Sequence, residues 1–308
     1  MGPPALPGSL ERSPLNEIIL VTPPVAEPVS VAEMMIQLGL GAPADTGLDS
    51  QLASQLTGLL LAARQYCENY TRTAFMTQTW LLQRDGWPCN DFRYHIGGDF
   101  HSAFYVPKPP FQSIGSMQYV DVDGNVQPLA LSTNYGSNPN DPIYGYQLDP
   151  GSDTRPARLM PPWAKPWPPT RRVANAVMVQ FKCGFGGAVT GSMTPGSAVL
   201  TGPVFNPGDV GQPVTVPGGI AGVSGGPATA LVTSIASVDG SGMATLAAAA
   251  TAAVAATPAI YVGLPVPESV RLAIKFMTQF FFQNGADADL PTPRIVAGLL
   301  EMYRNRVA

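Results

Sequence analysis

The chain has 308 residues, of which only 12% are charged while 45% are apolar, and its formal net charge is −4. Charged residues make up roughly 25% of an average soluble domain, so this chain is short of side chains that solvate a surface. The deficit indicates a surface of small neutral residues that is partly covered by neighbouring subunits. The acidic balance, without a cluster of Lys and Arg, argues against a general nucleic-acid-binding protein; a local basic patch stays open.

The cysteines and the apolar stretches predict a protein that is made in a reducing cytoplasm and has no membrane segment. Cys67, Cys89 and Cys183 are far apart and have no Cys-x-x-Cys spacing, so neither a disulfide framework nor a structural zinc site is expected. The first residues show no basic region followed by an apolar run, so no targeting signal is recognised. The longest bland apolar stretch, 246–256, is shorter than the roughly 20 residues of a membrane span.

Two helices are predicted in the first quarter of the chain. Residues 1–29 are rich in proline and aperiodic, which predicts an extended or partly disordered lead. Ser30 and Glu33 then form a capping box, in which each side chain satisfies a free amide of the first helical turn. Asp49 can cap a second, longer helix, because the apolar residues after it recur at steps of three and four.

The pattern changes to short strands after the second helix. The predicted strands are 77–84, 103–106, 114–120, 126–131 and 175–182. Asp123-Gly124 lies between two of them and favours a type I′ turn, since both central residues of that turn must accept a positive φ. The sequence therefore predicts an antiparallel sheet.

A proline-rich segment, 160–169 (MPPWAKPWPP), interrupts these strands. It cannot donate a ladder of hydrogen bonds and is predicted to be extended, polyproline-like chain. It is either a loop laid over its own sheet, with Trp163 and Trp167 as anchors, or an arm that reaches a neighbouring subunit, since Trp is a preferred interface anchor.

Residues 187–262 differ in composition from the rest of the chain. Their only charges are Asp209 and Asp239, and they contain neither His nor Cys. Alternating stretches at 213–216 and 230–238, with a turn signal at Asp239-Gly240, predict a small β domain. The alternative is a flexible low-complexity linker.

Two helices are predicted at the C-terminus. Pro267 and Glu268 suit the first turn of one that ends near Gly285, and Thr292-Pro293 opens another, with Ile295, Leu299 and Tyr303 on one face. The first of the two is apolar on most sides, including Phe276, Phe280 and Phe281. A helix of this kind must be covered on most sides, either by its own helices or by an adjacent subunit.

The order of these elements predicts an α+β protein, with a helical bundle and a small antiparallel β-sheet interrupted by an inserted all-β domain. The flanking parts, 1–186 and 264–308, form one discontinuous domain in this interpretation, and 187–263 is the inserted Gly/Ala/Thr/Val-rich β domain.

No residue pattern predicts catalysis, a cofactor or a metal. Cys89, His95 and His101 lie in one segment, but the histidines lack an i, i+4 helical spacing and the chain has no second ligand pair, so a polar loop is expected. Residues 222–226 (GVSGG) match Gly-x-Ser-x-Gly, but no histidine follows His101 to serve as a base. Residues 121–125 begin like a calcium loop, but the glycine is fourth where sixth is required, which favours a hairpin turn. The chain is therefore predicted not to be an enzyme.

Several segments, in a fixed order, carry a likeness to a known family. They are 27–33 (EPVSVAE), 61–71 (LAARQYCENYT) with 77–80 (TQTW), 107–114 (PKPPFQSI), 181–185 (FKCGF) and 266–268 (VPE). In this order they resemble the head–tail connector (adaptor) family of tailed bacteriophages, over about 21–186 and 265–308.

The resemblance implies a ring, typically of twelve subunits, below the portal in the virion neck. Such a ring extends the channel through which double-stranded DNA passes without sequence-specific binding, helps to retain the packaged DNA, and docks a tail-completion or tail protein. Arg294, Arg304 and Arg306 match the region that these adaptors commonly use against the portal. The residues expected at a portal or subunit interface are Phe276, Phe280, Phe281, Trp163, Trp167, Arg294, Tyr303, Arg304 and Arg306.

Two departures from the family pattern are expected to matter. The family usually has a short loop where this chain has 187–262, and it often has Tyr and Arg where this chain has Phe282-Gln283-Asn284. The insert looks distantly like modules of phage tail-fibre and tailspike proteins, so we expect it to project from the rim of the ring and to contact the capsid or tail fibres. A carbohydrate- or receptor-binding tail module, which would form a trimer, is the alternative function.

Overall fold

The computed structural model describes residues 17–40, 47–88, 103–132, 144–162, 165–222, 228–285 and 292–305. Within these ranges the helices are α1 (Val31–Gln37), α2 (Gly47–Thr71), α3 (Glu268–Asn284) and α4 (Arg294–Leu300). The strands are β1 (Glu17–Thr22), β2 (Gln78–Arg84), β3 (Phe104–Val106), β4 (Phe111–Val120), β5 (Val126–Pro128), β6 (Gln147–Asp149), β7 (Ala157–Met160), β8 (Val177–Cys183), β9 (Gly186–Met193), β10 (Val199–Leu200), β11 (Pro213–Ile220), β12 (Thr229–Val238), β13 (Ala244–Leu246) and β14 (Val254–Gly263). The strands of each sheet pair in antiparallel fashion, so the α+β prediction is confirmed.

The four helices pack around one apolar core. Its buried members include Met34 of α1, Leu60 of α2, Ile274 of α3 and Val296 of α4. The predicted cap of α1 is present, because the Ser30 hydroxyl accepts from the Glu33 amide at 3.2 Å. The Glu33 carboxylate is bound by Arg271 of α3 at 2.7 and 2.9 Å, so it joins two helices. The helix core therefore combines apolar packing with an ion pair at its margin.

A five-stranded sheet in the order β1-β2-β8-β4-β5 lies next to a three-stranded sheet in the order β3-β7-β6. Their shared core contains Phe181 and Leu159, which are fully buried. Trp87 and Trp167 stack in this core with ring centroids 4.4 Å apart and planes 5° apart. The proline-rich segment thus lies over its own sheets at Trp167, whereas Trp163 lies outside the described residues.

Residues 186–263 form a six-stranded sheet in the order β10-β13-β12-β11-β14-β9. Its two edges meet, because Ser192 and Thr201 exchange backbone hydrogen bonds of 2.9 and 3.0 Å. The sheet therefore curls round on itself and encloses its own core, in which Leu200, Ile235 and Ile260 are buried. This arrangement excludes a low-complexity linker for the described part of the segment.

Two hairpin loops have the same hydrogen-bond pattern, and one of them differs from the predicted turn type. Asp121 and Asp239 each begin a loop in which the first carboxylate accepts from the amides two and four residues later. The positive φ falls on Gly124 in one loop and on Gly242 in the other, while Asp123 has no positive φ. The turns predicted at Asp123-Gly124 and Asp239-Gly240 are present, but the type I′ assignment of Asp123-Gly124 was wrong, because each turn is a longer loop with one left-handed glycine.

A buried carboxylate fixes the end of α2 to the strands that follow it. Glu68 accepts from Arg64 at 2.7 Å, from the Phe75 amide at 2.8 Å and from the Gln78 side chain at 2.8 Å. Burial raises the pKa of Glu68, and the Arg64 guanidinium and the Phe75 amide oppose this rise. Arg64 also binds Glu27 at 2.7 Å, so one network joins the segment before α1, the helix α2 and the strand β2.

We expect Glu68→Gln to lower the free energy of unfolding by about 3 kcal/mol or more. The NH2 group of the new side chain would face one of the hydrogen-bond donors that the carboxylate accepts from. The buried guanidinium of Arg64 would also lose its charge partner. Chemical denaturation measures this loss. The matched control is Glu301→Gln, since Glu301 is 44% exposed and 3.8 Å from Arg304, and surface pairs contribute about 0–1 kcal/mol. Equal losses in the two variants would contradict the role given to Glu68.

Candidate assembly surfaces

The described residues offer little for catalysis or metal binding. They contain no group of three or more His, Cys, Asp or Glu side chains that could hold a metal. The segment with Cys89, His95 and His101, and Ser224 of the Gly-x-Ser-x-Gly match, lie outside the described residues. No helix among those described is long and apolar enough to span a membrane.

The two described thiols are structural. Cys67 and Cys183 are free and fully buried. Burial raises the pKa of Cys67 to about 12 and also raises the pKa of Cys183. Because the thiolate is the reactive and metal-binding form, these two residues act as small apolar core side chains.

The chain enters and leaves the six-stranded sheet at one narrow point. Gly184 has a φ of +116°, and a Cβ there would lie 2.2 Å from the Met76 carbonyl oxygen. Gly263 has a φ of +101°, and a Cβ there would lie 2.5 Å from the Phe185 carbonyl oxygen. Only glycine fits at both positions. The glycines near 184–187 therefore allow the chain to bend into this segment.

A buried ion pair joins the six-stranded sheet to the five-stranded sheet. Asp209, in a 3₁₀ turn before β11, accepts from Lys182 of β8 at 2.8 Å and from the Ser113 hydroxyl of β4 at 2.8 Å. The amide of Asn206 donates a third bond at 2.8 Å. Asp209 is only 3% exposed. One of the two charges in 187–262 is thus used to fix this segment to the rest of the chain, a role that composition alone did not indicate.

The predicted interface aromatics of the C-terminal helices are largely engaged within their own chain. Phe276, Phe280 and Phe281 are half-buried against the helix core, and Phe281 makes an edge contact with Tyr66. Tyr303 contacts the Phe185 ring at 6.1 Å between centroids. The covering of α3 therefore comes in large part from its own helices.

The last described residues are held beside the end of α2. The Asn305 amide donates to the Thr71 carbonyl at 2.7 Å, and the Arg304 guanidinium lies 5.3 Å from the centre of the Tyr70 ring. Arg304 is nevertheless 48% exposed. The position of this arginine is therefore fixed while its charge stays open to solvent.

Four exposed side chains form what we call the C-terminal surface: Arg294, Ile295, Met302 and Arg304. Ile295 is 55% exposed and Met302 is 68% exposed, and Arg294 is exposed at the start of α4. Of the three residues predicted on one face of this helix, Leu299 and Tyr303 pack against the helix core whereas Ile295 is exposed, and the buried residues of α4 are Val296 and Leu300. Arg306 lies outside the described residues. Arg294 is next to Ile295 in the sequence and Arg304 is two residues after Met302, and exposed arginine and apolar side chains of this kind suit contact with another protein.

No family model and no curated protein matches the chain. Two solved structures contain a chain with a similar fold, one titled as the virion of a native gene transfer agent particle and the other as the neck of an empty particle of this kind, computed with C6 symmetry. Each match has a TM-score of 0.50 at 16% identity and covers 94% of this chain and 95% of the other. The chain shares its fold with a protein of a gene transfer agent neck.

The extent of this match bears on the segment 187–263. Because the match covers nearly equal shares of the two chains, the neck protein is about as long as this one, and the likeness extends beyond the helices and the five-stranded sheet. Members of the adaptor family usually have a short loop in place of this segment. The neck protein, by contrast, leaves room for a counterpart of it.

We expect Asp209→Asn to weaken the contact between the two sheets, because it removes the charge partner of Lys182 and places an amide donor beside it. The free energy of unfolding should fall by about 1–3 kcal/mol, and hydrogen exchange should become faster at Ser113 and in the 3₁₀ turn. The matched control is Asp239→Asn, which changes the other charge of the segment in an exposed loop. Asn keeps the accepting oxygen of that loop, so little change is expected there, and equal effects of the two substitutions would refute the joining role of Asp209.

Proposed function

We propose that this protein is a structural component of the neck of a tailed-phage-like particle and forms a head–tail connector ring. The observation that carries the proposal is the fold shared with a gene transfer agent neck chain over 94% of the sequence. The adaptor-like segments support it, and the structure explains why they occur together: Glu68 and Gln78, which lie in two of these segments, bind each other in the buried network at the end of α2.

In this proposal the ring has twelve copies, lies under the portal and extends the channel for double-stranded DNA without reading its sequence. Its lower face docks a tail-completion or tail protein. A mechanical task of this kind needs rigid contacts and no reacting groups.

We also propose that 187–263 is an all-β domain inserted into a discontinuous domain, whose helices form a bundle. The closed sheet with its own core supports this division. The Asp209→Asn variant tests it by hydrogen exchange. An independent domain keeps slow exchange in its strands when its contact with the rest of the chain is weakened, whereas a dependent one loses protection throughout.

The purified chain should assemble into large closed rings, which native mass spectrometry and negative-stain electron microscopy detect. The alternative function, a carbohydrate- or receptor-binding tail module, predicts a trimer with measurable affinity on a glycan array. Rings without glycan binding support the connector. A stable trimer would reject it in favour of the alternative.

The C-terminal surface is our candidate for the portal contact, because Arg294 and Arg304 are exposed and each is close in sequence to an exposed apolar residue, Ile295 or Met302. Arg294→Glu with Arg304→Glu should weaken binding of the assembled ring to purified portal at least tenfold, while ring formation is kept. Arg172→Glu, also at an exposed position, is the control and should bind like the unchanged protein. If the double variant binds portal as well as the unchanged protein does, the portal contact lies on another surface. Trp167 is left out of this surface because its ring is buried in its own core.

A further inference from the structure

The first described strand is apolar but poorly covered. β1 forms one edge of the five-stranded sheet, where β2 is its only neighbour among the described strands. Ile18 is half-buried, whereas Ile19, Leu20 and Val21 are 41%, 41% and 47% exposed. A run of four apolar residues is typical of a strand that is buried on both faces. In the single chain, β1 is therefore largely exposed although its sequence suits a buried strand.

β1 is held mainly by its backbone. It pairs with β2 from Glu17 opposite Gln83 to Thr22 opposite Thr79, and of its six side chains only Ile18 packs against the core. Little apolar contact is therefore lost when the strand leaves its place. Segments with few buried contacts open most easily in a folded protein.

A short proline-containing connector separates β1 from a firm anchor. The connector is 23–26 (PPVA), and Val25 within it is 74% exposed. Directly after it, Glu27 is bound by Arg64 at 2.7 Å, and the Pro28 carbonyl accepts from Arg271 at 2.9 Å. The body of the chain thus holds residue 27, while the strand and its connector, about 33 Å long when extended, can reach beyond it.

We propose that β1 is exchanged between neighbouring copies, so that Glu17–Thr22 of one copy pairs with β2 of the next. This inference rests on the proposed ring. In either arrangement the strand that pairs with the edge of β2 is β1, from the same chain or from a neighbouring copy. The hydrogen bonds between the two strands are therefore kept, and the exchange costs little free energy. Proline restricts the connector to extended conformations, which favours reaching outward over folding back. Because every copy both donates and accepts, the contact is head-to-tail and can close into a ring.

The exchange also accounts for the exposed apolar run. A strand that crosses from one copy to the next lies in the contact between them, where Ile19, Leu20 and Val21 find cover from both. The other edge of the same sheet offers no equal site: β5 has three residues and includes Pro128, and the turn that carries Asp209 packs beside β4.

Cross-linking between Cα partners tests the exchange. Glu17→Cys and Gln83→Cys are introduced separately, each in a Cys89→Ser background that keeps the buried Cys67 and Cys183, and the two chains are mixed before assembly. Neither chain can link these two positions within itself. We expect dibromobimane to yield a covalent dimer in the assembled mixture and none when either chain is assembled alone. The absence of this dimer in assembled rings would overturn the exchange and leave the proposed ring intact.

A chain that carries both Glu17→Cys and Gln83→Cys gives the second readout. In rings it should cross-link into a ladder of two, three and more chains. Cross-links formed only within single chains would show that β1 pairs with β2 of its own chain. The control carries Leu81→Cys and Gln180→Cys, which are partners in the interior strands β2 and β8, and should link only within one chain. A protein that stays a single chain at every concentration would refute both the ring and the exchange.

Discussion

The buried carboxylate of Glu68 is the contact on which the arrangement of this protein depends. It receives donors from α2 itself, from the turn after α2 and from β2, so it sets the angle at which the helices meet the sheet. Its partner Arg64 reaches Glu27, and the position of the segment before α1 therefore follows from the same network. A buried charge is tolerated only when its hydrogen-bonding capacity is used, and three donors meet that condition here.

Charged residues are scarce in this chain, and several of the described ion pairs connect one helix or sheet to another. The pair Arg271–Glu33 connects α3 with α1, and the pair Lys182–Asp209 connects the two large sheets. Apolar packing is non-directional, whereas a charged hydrogen bond fixes one geometry. In the proposed ring every copy would have to present the same shape, and a few directional contacts between elements would provide this without a heavily charged surface.

The sheets differ in how they treat their edges. The six-stranded sheet closes on itself at Ser192 and Thr201 and so removes its edges, which is the most complete protection against unwanted pairing. The five-stranded sheet keeps an open edge at β1, with an apolar sequence and without the prolines or inward charges that usually guard such an edge. This contrast makes β1 the natural place for one copy to meet another.

The sequence by itself determined the elements whose signals are local. The Ser30 cap, the period of α2, the glycine-marked loops and the foreign composition of 187–262 each depend on near neighbours in the chain, and the structure agrees with them. Tertiary structure alone decided which face of α4 is buried, where Trp167 packs and what Asp209 binds. These depend on contacts between residues far apart in sequence, such as Ser113 and Asp209, and a local pattern carries no information about which distant group will satisfy a buried charge.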